Sequence, residues 1–397
     1  MPRALRPLRQ PALRGCLVAM VMGCGRIRFD VLDVGERDAR ACALGIDATL
    51  QSHVDYATGA APQMVRIADM NRDGVADLVS VDLNGSTVSV LVGRSDGTFA
   101  TAASQSTAFN PYSGAVGDLD GNGTLDVVTA NYSAGNGNSV SVLLGNGDGS
   151  LAPRTDFITG IAGVVPVAVA IADLDRDGNA DLAVANYVGA TIAVLLGNGD
   201  GSLRAHQDYS IGSGPQSVAV AELDGDGIAD LVVTLANGTS LAVLHGNGDG
   251  SFGSPVMHSV MGDPYDAAVG DVDRDGTLDL IAANWLDNTI VVLHGQGGSS
   301  YAAAVAYPTG VEPRGIAIGD IDGDGALDIA TANYSGASIS VLRGYGDGTF
   351  QPFQDFATGG GAYSAAIGDL DGDGDADLAV ASVFTNAISV LINTCAP

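Results

Sequence analysis

A chain of 397 residues that is 46% hydrophobic can bury a core, while 56 glycines against 5% aromatic residues call for many turns rather than long regular elements. The formal charge is -29 and all 17 basic residues are arginine; eight of them (Arg3, Arg6, Arg9, Arg14, Arg26, Arg28, Arg37, Arg40) lie in the first 40 positions. The acidic remainder excludes nucleic acid as a partner, because it has no basic groove with which to replace the counterions on phosphate.

The chain opens "MPRALRPLRQPALRGCLVAMVMGCG", four arginines ahead of an apolar stretch at 16–22 that is too short to span a bilayer. This is the layout of a secretory signal over 1–23. Val21, Met22, Gly23 and Cys24 resemble a bacterial lipobox, in which cleavage leaves Cys24 as a lipidated first residue; simple secretion is the alternative. The expected location is therefore extracytoplasmic, as an outer-membrane or cell-surface lipoprotein or as a secreted protein. Residues 24–50 read as a tether, and 51–397 as one repeat domain. Once Cys16 leaves with the signal and Cys24 is acylated, Cys42 and Cys395 remain, a pair suited to one disulfide in an oxidising compartment.

Beyond the tether a nine-residue acidic run recurs: "DMNRDGVAD" from Asp69, then copies from Asp118, Asp173, Glu222, Asp271, Asp320 and Asp369, spaced 49, 55, 49, 49, 49 and 49 residues apart. Each unit sets a short apolar segment such as "SVAVAEL" before the loop, "ADLVVTL" and "SLAVLHG" after it, and then a "NGDGS" turn. Segments rich in Val, Ile and Ala and bounded by Gly, Asn and Asp read as strands, and a fourth runs on toward the next unit. Seven four-stranded units predict an all-β, seven-bladed β-propeller with the acidic loops in the A–B hairpins, since radial closure protects sheet edges. The ends match: "DYATG" at Asp55 lies 14 residues before Asp69, as "DFATG" at Asp355 lies 14 before Asp369. An N-terminal strand at 53–58 is therefore expected to complete the last blade, whose final segment "ISVLINT" lacks a glycine turn, and to bring Cys42 and Cys395 within reach of each other.

Loop positions 1, 3, 5 and 9 carry oxygen side chains, position 6 is always glycine, and position 7 varies because it offers only its carbonyl. That donor set predicts a hard cation held by oxygens, and calcium rather than magnesium or zinc. The expected ligands are Asp69, Asn71, Asp73, Val75 and Asp77 in the first loop and Asp118, Asp120, Asn122, Thr124 and Asp126 in the second. The third and fourth supply Asp173, Asp175, Asp177, Asn179 and Asp181, then Glu222, Asp224, Asp226, Ile228 and Asp230. The fifth, sixth and seventh supply Asp271, Asp273, Asp275, Thr277 and Asp279; Asp320, Asp322, Asp324, Ala326 and Asp328; and Asp369, Asp371, Asp373, Asp375 and Asp377. An EF-hand would need a glutamate at position 12, where the fifth copy has Ala282, and flanking helices. Up to seven calcium ions would bring the formal charge from -29 to -15, and the longer Glu222 marks the fourth site as the weakest.

Seven such loops in register resemble FG-GAP or VCBS-type repeats, the calcium-loop propeller units also seen in integrin α-subunits, over about 53–394. The resemblance implies a surface or secreted binding or adhesion module. The FG and GAP motifs are mostly degraded here, so the resemblance does not by itself imply integrin-like ligand recognition.

Chain direction places the B–C loops and the links between blades on the face opposite the acidic loops. Four B–C loops begin with Asn and an aromatic: Asn131 with Tyr132, Asn186 with Tyr187, Asn284 with Trp285 and Asn333 with Tyr334. Tyr132, Tyr187, Trp285 and Tyr334 are candidates to stack on sugars or anchor a protein; packing across adjacent blades, with Asn capping the turn, is the structural alternative. "GNGDGS" reads as a hairpin turn needing φ > 0 at glycine. His245, His294 and Arg343 occupy equivalent positions with no acidic partner at matched spacing, which favours packing over catalysis. The expected protein is a monomeric, non-catalytic binding module for a glycan or protein, touching a membrane only through its lipid. A propeller-based polysaccharide lyase or phospholipase, or a purely structural scaffold, are the alternatives.

Overall fold

The structure, a computed structural model, describes residues 49–132, 137–236 and 238–394. Two short strands come first, β1 (Thr49–Leu50) and β2 (Val54–Ala57). The first blade is an antiparallel meander of β3 (Pro62–Ala68), β4 (Asp77–Asp82), β5 (Thr87–Leu91) and β6 (Ala103–Ser106). Five more four-stranded meanders follow at 111–158, 166–210, 215–259, 264–308 and 313–357. The last sheet takes three strands from the C-terminal end (Ala362–Gly368, Asp377–Ser382, Ala387–Leu391) and β2 as its fourth, with Val54 opposite Val390 and Ala57 opposite Ala387. The molecule is thus a seven-bladed all-β propeller, and no helix occurs among the described residues.

Burial follows from radial stacking. The second strand of every blade is covered on both faces by neighbouring blades and is buried along its length, as in "DLAVAN" at Asp181–Asn186. Such strands read as continuous small apolar runs. The outermost strands keep one half-buried position in four and expose the rest, the pattern of a rim facing solvent. The core lies between blades: one cluster joins Val65, Leu78 and Phe99 of the first blade to Ala379, Ile388 and Val390 of the last and so closes the ring. Tyr56 of β2 meets Phe99 edge-on at 5.1 Å, and Ser389 Oγ donates to Asp55 Oδ1 at 2.6 Å. Beside this latch β1 pairs with Asn393–Thr394. The signal segment, most of the tether, Cys24, Cys42 and Cys395 lie outside the described residues.

Every innermost strand opens with the same irregularity. Its register with the second strand slips by one residue at Gln63, Tyr112, Val167, Gln216, Tyr265, Arg314 and Tyr363, each the second residue of its strand. A bulge of this kind re-aims a side chain out of the ladder, and here seven are re-aimed around one axis.

Candidate functional site

Each acidic loop is a stack of side-chain-capped turns. In the second blade Gly123 N donates to Asp118 Oδ2 (2.8 Å), Asn122 N to Asp120 Oδ1 (3.2 Å) and Thr124 N to Asn122 Oδ1 (2.6 Å). Residues at positions 4 and 6 are left-handed, with Gly121 at φ 69° and Gly123 at φ 79°. Glycine meets that demand without strain, yet the first, third and fifth loops place Arg72, Arg176 and Arg274 at position 4. Two of these arginines reach the next blade: Arg72 Nη2 donates to Asn122 O at 3.2 Å, and Arg274 Nη2 lies 3.8 Å from Asp324 Oδ1.

The position-9 aspartates are wholly buried and do a second job. Asp181 Oδ2 accepts from Leu174 N (2.8 Å) and Oδ1 from Gly197 N (2.7 Å), so one carboxylate ties the start of the loop to the end of the third strand. Asp77, Asp126, Asp230, Asp279, Asp328 and Asp377 repeat this arrangement. The glycine at the far end is required by space, because a Cβ on Gly197 would sit 2.1 Å from Ala180 O. In the last blade Asn393 N takes the same role.

These loops hold oxygens that the protein itself does not satisfy. Asp118 Oδ1, Asp173 Oδ1 and Asp320 Oδ1 are buried with no hydrogen-bond partner. Donor atoms of Asp118, Asp120 and Asp126, and of Asp173, Asp175 and Asp181, lie within 4.8 Å of one another. Burial, reinforced by neighbouring carboxylates, pushes Asp126, Asp181 and Asp320 up to about 6 and Asp328 and Asp377 to about 7. A buried anionic oxygen without a partner is costly, and a hard dication among oxygen donors removes both the orphaning and the repulsion. The residues present therefore fit calcium. Glu222 departs from the pattern: its Oε1 accepts from Gly225 N (2.5 Å) and Asp226 N (3.1 Å), whereas the position-1 aspartates of the other loops hold the position-6 amide. Its donor atom still lies within 4.8 Å of Asp224 and Asp226.

The structure corrects one expectation here: His245, His294 and Arg343 do have acidic partners. His245 Nδ1 lies 3.4 Å from both Asp224 and Asp230, His294 Nδ1 3.8 Å from Asp273 and 3.6 Å from Asp279, and Arg343 Nε 3.8 Å from Asp322. In the third blade Arg204 plays a similar part against Asp175 and Asp177. The Gly-rich turn has Gly147 and Gly149 at φ 76° and 83° and is closed by Ser150 N donating to Asp148 Oδ1 at 3.0 Å.

The opposite face is built from the bulged residues. Tyr112, Tyr265 and Tyr363 meet on the axis in a closed triangle of hydroxyl hydrogen bonds: Tyr112 to Tyr265 at 2.6 Å, Tyr363 to Tyr112 at 2.5 Å, and Tyr265 to Tyr363. Around this plug sit three of the expected aromatics. Tyr132 lies 5.3 Å from Tyr112, Trp285 6.4 Å from Tyr265 and Tyr334 6.0 Å from Tyr363. Tyr187 packs over Gly214 in the next link and on the core of the third and fourth blades. The preceding asparagines are buried caps; Asn284 Nδ2, for example, donates to Val260 O at 2.8 Å. Links and B–C loops of this face also expose Phe109 (77%), Ile161 (82%), Val188, Met261, Leu286, Val311 and Phe384 (64%). Sequence reasoning missed the axial tyrosines; Tyr112 and Tyr265 each follow a strand-opening proline, a signal that could have found them, whereas Tyr363 follows Ala362.

A ring of acidic-loop blades with a separate aromatic face defines a repeat propeller. The FG-GAP-like repeat model matches at 69–129, 131–184, 173–233, 223–282, 271–331 and 320–380, and the chain belongs to that family. No curated protein matches it. Among solved structures it is similar to a chain from the complex of BBS1N with ARL6DN (12% identity, 88% of this chain and 98% of that one, TM-score 0.62). It is also similar to virginiamycin B lyase from Staphylococcus aureus (13% identity, 87% and 99%, TM-score 0.59). A third is an Agrocybe aegerita lectin described as recognising non-reducing terminal N-acetylglucosamine (18% identity, 82% and 86%, TM-score 0.53). At these identities the likeness concerns the fold alone.

Proposed function

We propose that this FG-GAP-like propeller is an exported, calcium-stabilised, non-catalytic binding module that works as a monomer and engages a glycan or protein through the face opposite its acidic loops. The observation that carries the reading is the concentration of exposed apolar side chains on that face around an aromatic centre. Large exposed apolar side chains gathered on one face mark interaction surfaces more often than ones scattered singly over a protein. The described histidines lie elsewhere: His53, His206 and His258 on or beside outermost strands, and His245 and His294 against the acidic loops. Calcium belongs to the opposite face, where it would hold the loops and leave the binding surface free.

Glycan and protein arrays, read with calcium present, test the reading. Ligands whose capture is lost in Phe384→Asp and Leu286→Asp support it; ligands indifferent to both would move the binding site elsewhere. Export rests on the N-terminal segment. Cys24→Ala is expected to release the protein from membranes into the soluble extracytoplasmic fraction, and unchanged fractionation would remove the lipid anchor from the proposal.

A further inference from the structure

The guanidinium of Arg314 is set apart by its surroundings: every cation–π contact among the described residues is its own. Arg154, Arg204, Arg274 and Arg343 each ion-pair with an aspartate. Arg314 makes no hydrogen bond or ion pair among the described residues, and its Nε is buried without a partner. Aromatic rings hold it instead: it stacks on Tyr334 at 3.7 Å, with Tyr265 and Tyr363 each at 5.2 Å and Trp285 at 5.8 Å. Cation–π contacts of this kind fix a guanidinium in place and leave its donor edge unused. A bulge aims it toward the axis on the face that carries the apolar rim.

We propose that Arg314 is a carboxylate anchor, and that the partner of this face is a polypeptide presenting one acidic group, an Asp or Glu side chain or a chain terminus, flanked by apolar residues. The inference rests on the binding-face reading and adds to it the class of partner. Two observations favour a polypeptide over an anionic glycan. Five of the seven exposed rim side chains, Ile161, Val188, Met261, Leu286 and Val311, are not aromatic and suit apolar side chains better than hydroxyl-rich sugar rings, Phe109 and Phe384 being the exceptions. Asp263, Asp287 and Glu312 lie in the link and loop segments of the same sector, so a polyanion would be repelled where a single carboxylate fits. A guanidinium pairs bidentately with a carboxylate, and such a charge-assisted pair between partly desolvated groups is among the stronger polar contacts.

The test is selection from a displayed library of random twelve-residue peptides on the purified, calcium-loaded protein. Selected sequences are expected to enrich Asp or Glu beside Leu, Ile, Phe or Trp. For a selected peptide, Asp→Asn in the peptide and Arg314→Gln in the protein should each weaken binding about tenfold or more, with little further loss when combined, as for two halves of one contact. Arg314→Lys should keep the acidic preference at reduced affinity. Because the peptide-side substitution leaves the protein untouched, the proposal remains decidable if Arg314→Gln lowers the melting temperature. Peptides that lose binding in Phe384→Asp yet show no acidic preference would sink the anchor and leave the face standing. Peptides indifferent to Phe384→Asp, or a selection that yields none, would sink the face itself. Capture of uronic-acid oligosaccharides in place of peptides would overturn the partner class.

Discussion

At the scale of single residues the loop carboxylates separate into two kinds by what each oxygen touches. Asp181 and its six equivalents are buried and take two backbone N–H groups apiece, so removing one leaves two amides unsatisfied whether or not metal is bound. Each orphaned donor costs about 1–3 kcal/mol, and Asp181→Ala should therefore lose roughly 2–6 kcal/mol of unfolding free energy in metal-free buffer and, as one of the residues that would hold the ion, somewhat more with calcium. Asp275, at the exposed position 5, caps only the turn at Thr277, so on the proposed calcium reading it would matter chiefly through the cation. Asp275→Ala should be near neutral in metal-free buffer and destabilising only when calcium is present. Urea denaturation of both variants under both conditions checks the distinction, and equal losses for Asp275→Ala with and without calcium would dissolve it. The sequence marks position 9 as a ligand but hides its hydrogen-bonding role, because Gly197 becomes its neighbour only when the hairpin folds back.

At the scale of elements the closing strand is the weakest joint in the ring. β2 is four residues long, and pairing with Ala387–Leu391 is what keeps that strand from becoming an open edge. A chain beginning at residue 58 would expose those backbone groups together with Ile388 and Val390, and unpaired edges of this kind template association. Such a chain is expected to melt lower and to elute partly as oligomers in size-exclusion chromatography, and an unchanged monomer would mean that the last blade holds with three strands. Most of this architecture could be read in advance: the repeat interval, the short Val- and Ile-rich runs and the "DYATG"/"DFATG" echo carried the blade count and the latch. The face opposite the loops was half legible. Tyr132, Trp285 and Tyr334 stood out as asparagine–aromatic pairs, whereas Tyr112, Tyr265, Arg314 and Tyr363 come together only because a bulge in each blade turns one side chain toward an axis that no single repeat contains.

At the scale of the whole molecule, seven crowded carboxylate loops make folding a function of proton concentration and, on the proposed calcium reading, of calcium as well. In the metal-free protein Asp126, Asp181 and Asp320 are raised to about 6, and Asp328 and Asp377 to about 7. The folded state therefore holds protons that the unfolded chain, with ordinary aspartates, has already released. Stability depends on pH through that difference in bound protons. The metal-free protein should lose stability as pH rises from about 4 to about 7. Calcium needs the ionised form, so its contribution grows over the same interval. At tenfold excess over Kd one ion adds about 1.4 kcal/mol, and seven would sum to roughly 10 kcal/mol, comparable with the stability of a whole domain. Replacing one ligand, as in Asp273→Ala, should weaken one site and leave the ring closed. Melting temperatures of decalcified and calcium-loaded protein between pH 5 and pH 8 are expected to diverge as pH rises, with magnesium restoring less than calcium. A constant gap across that range, or no gap with no bound calcium by calorimetry, would mean that the loops fold as bare acidic turns.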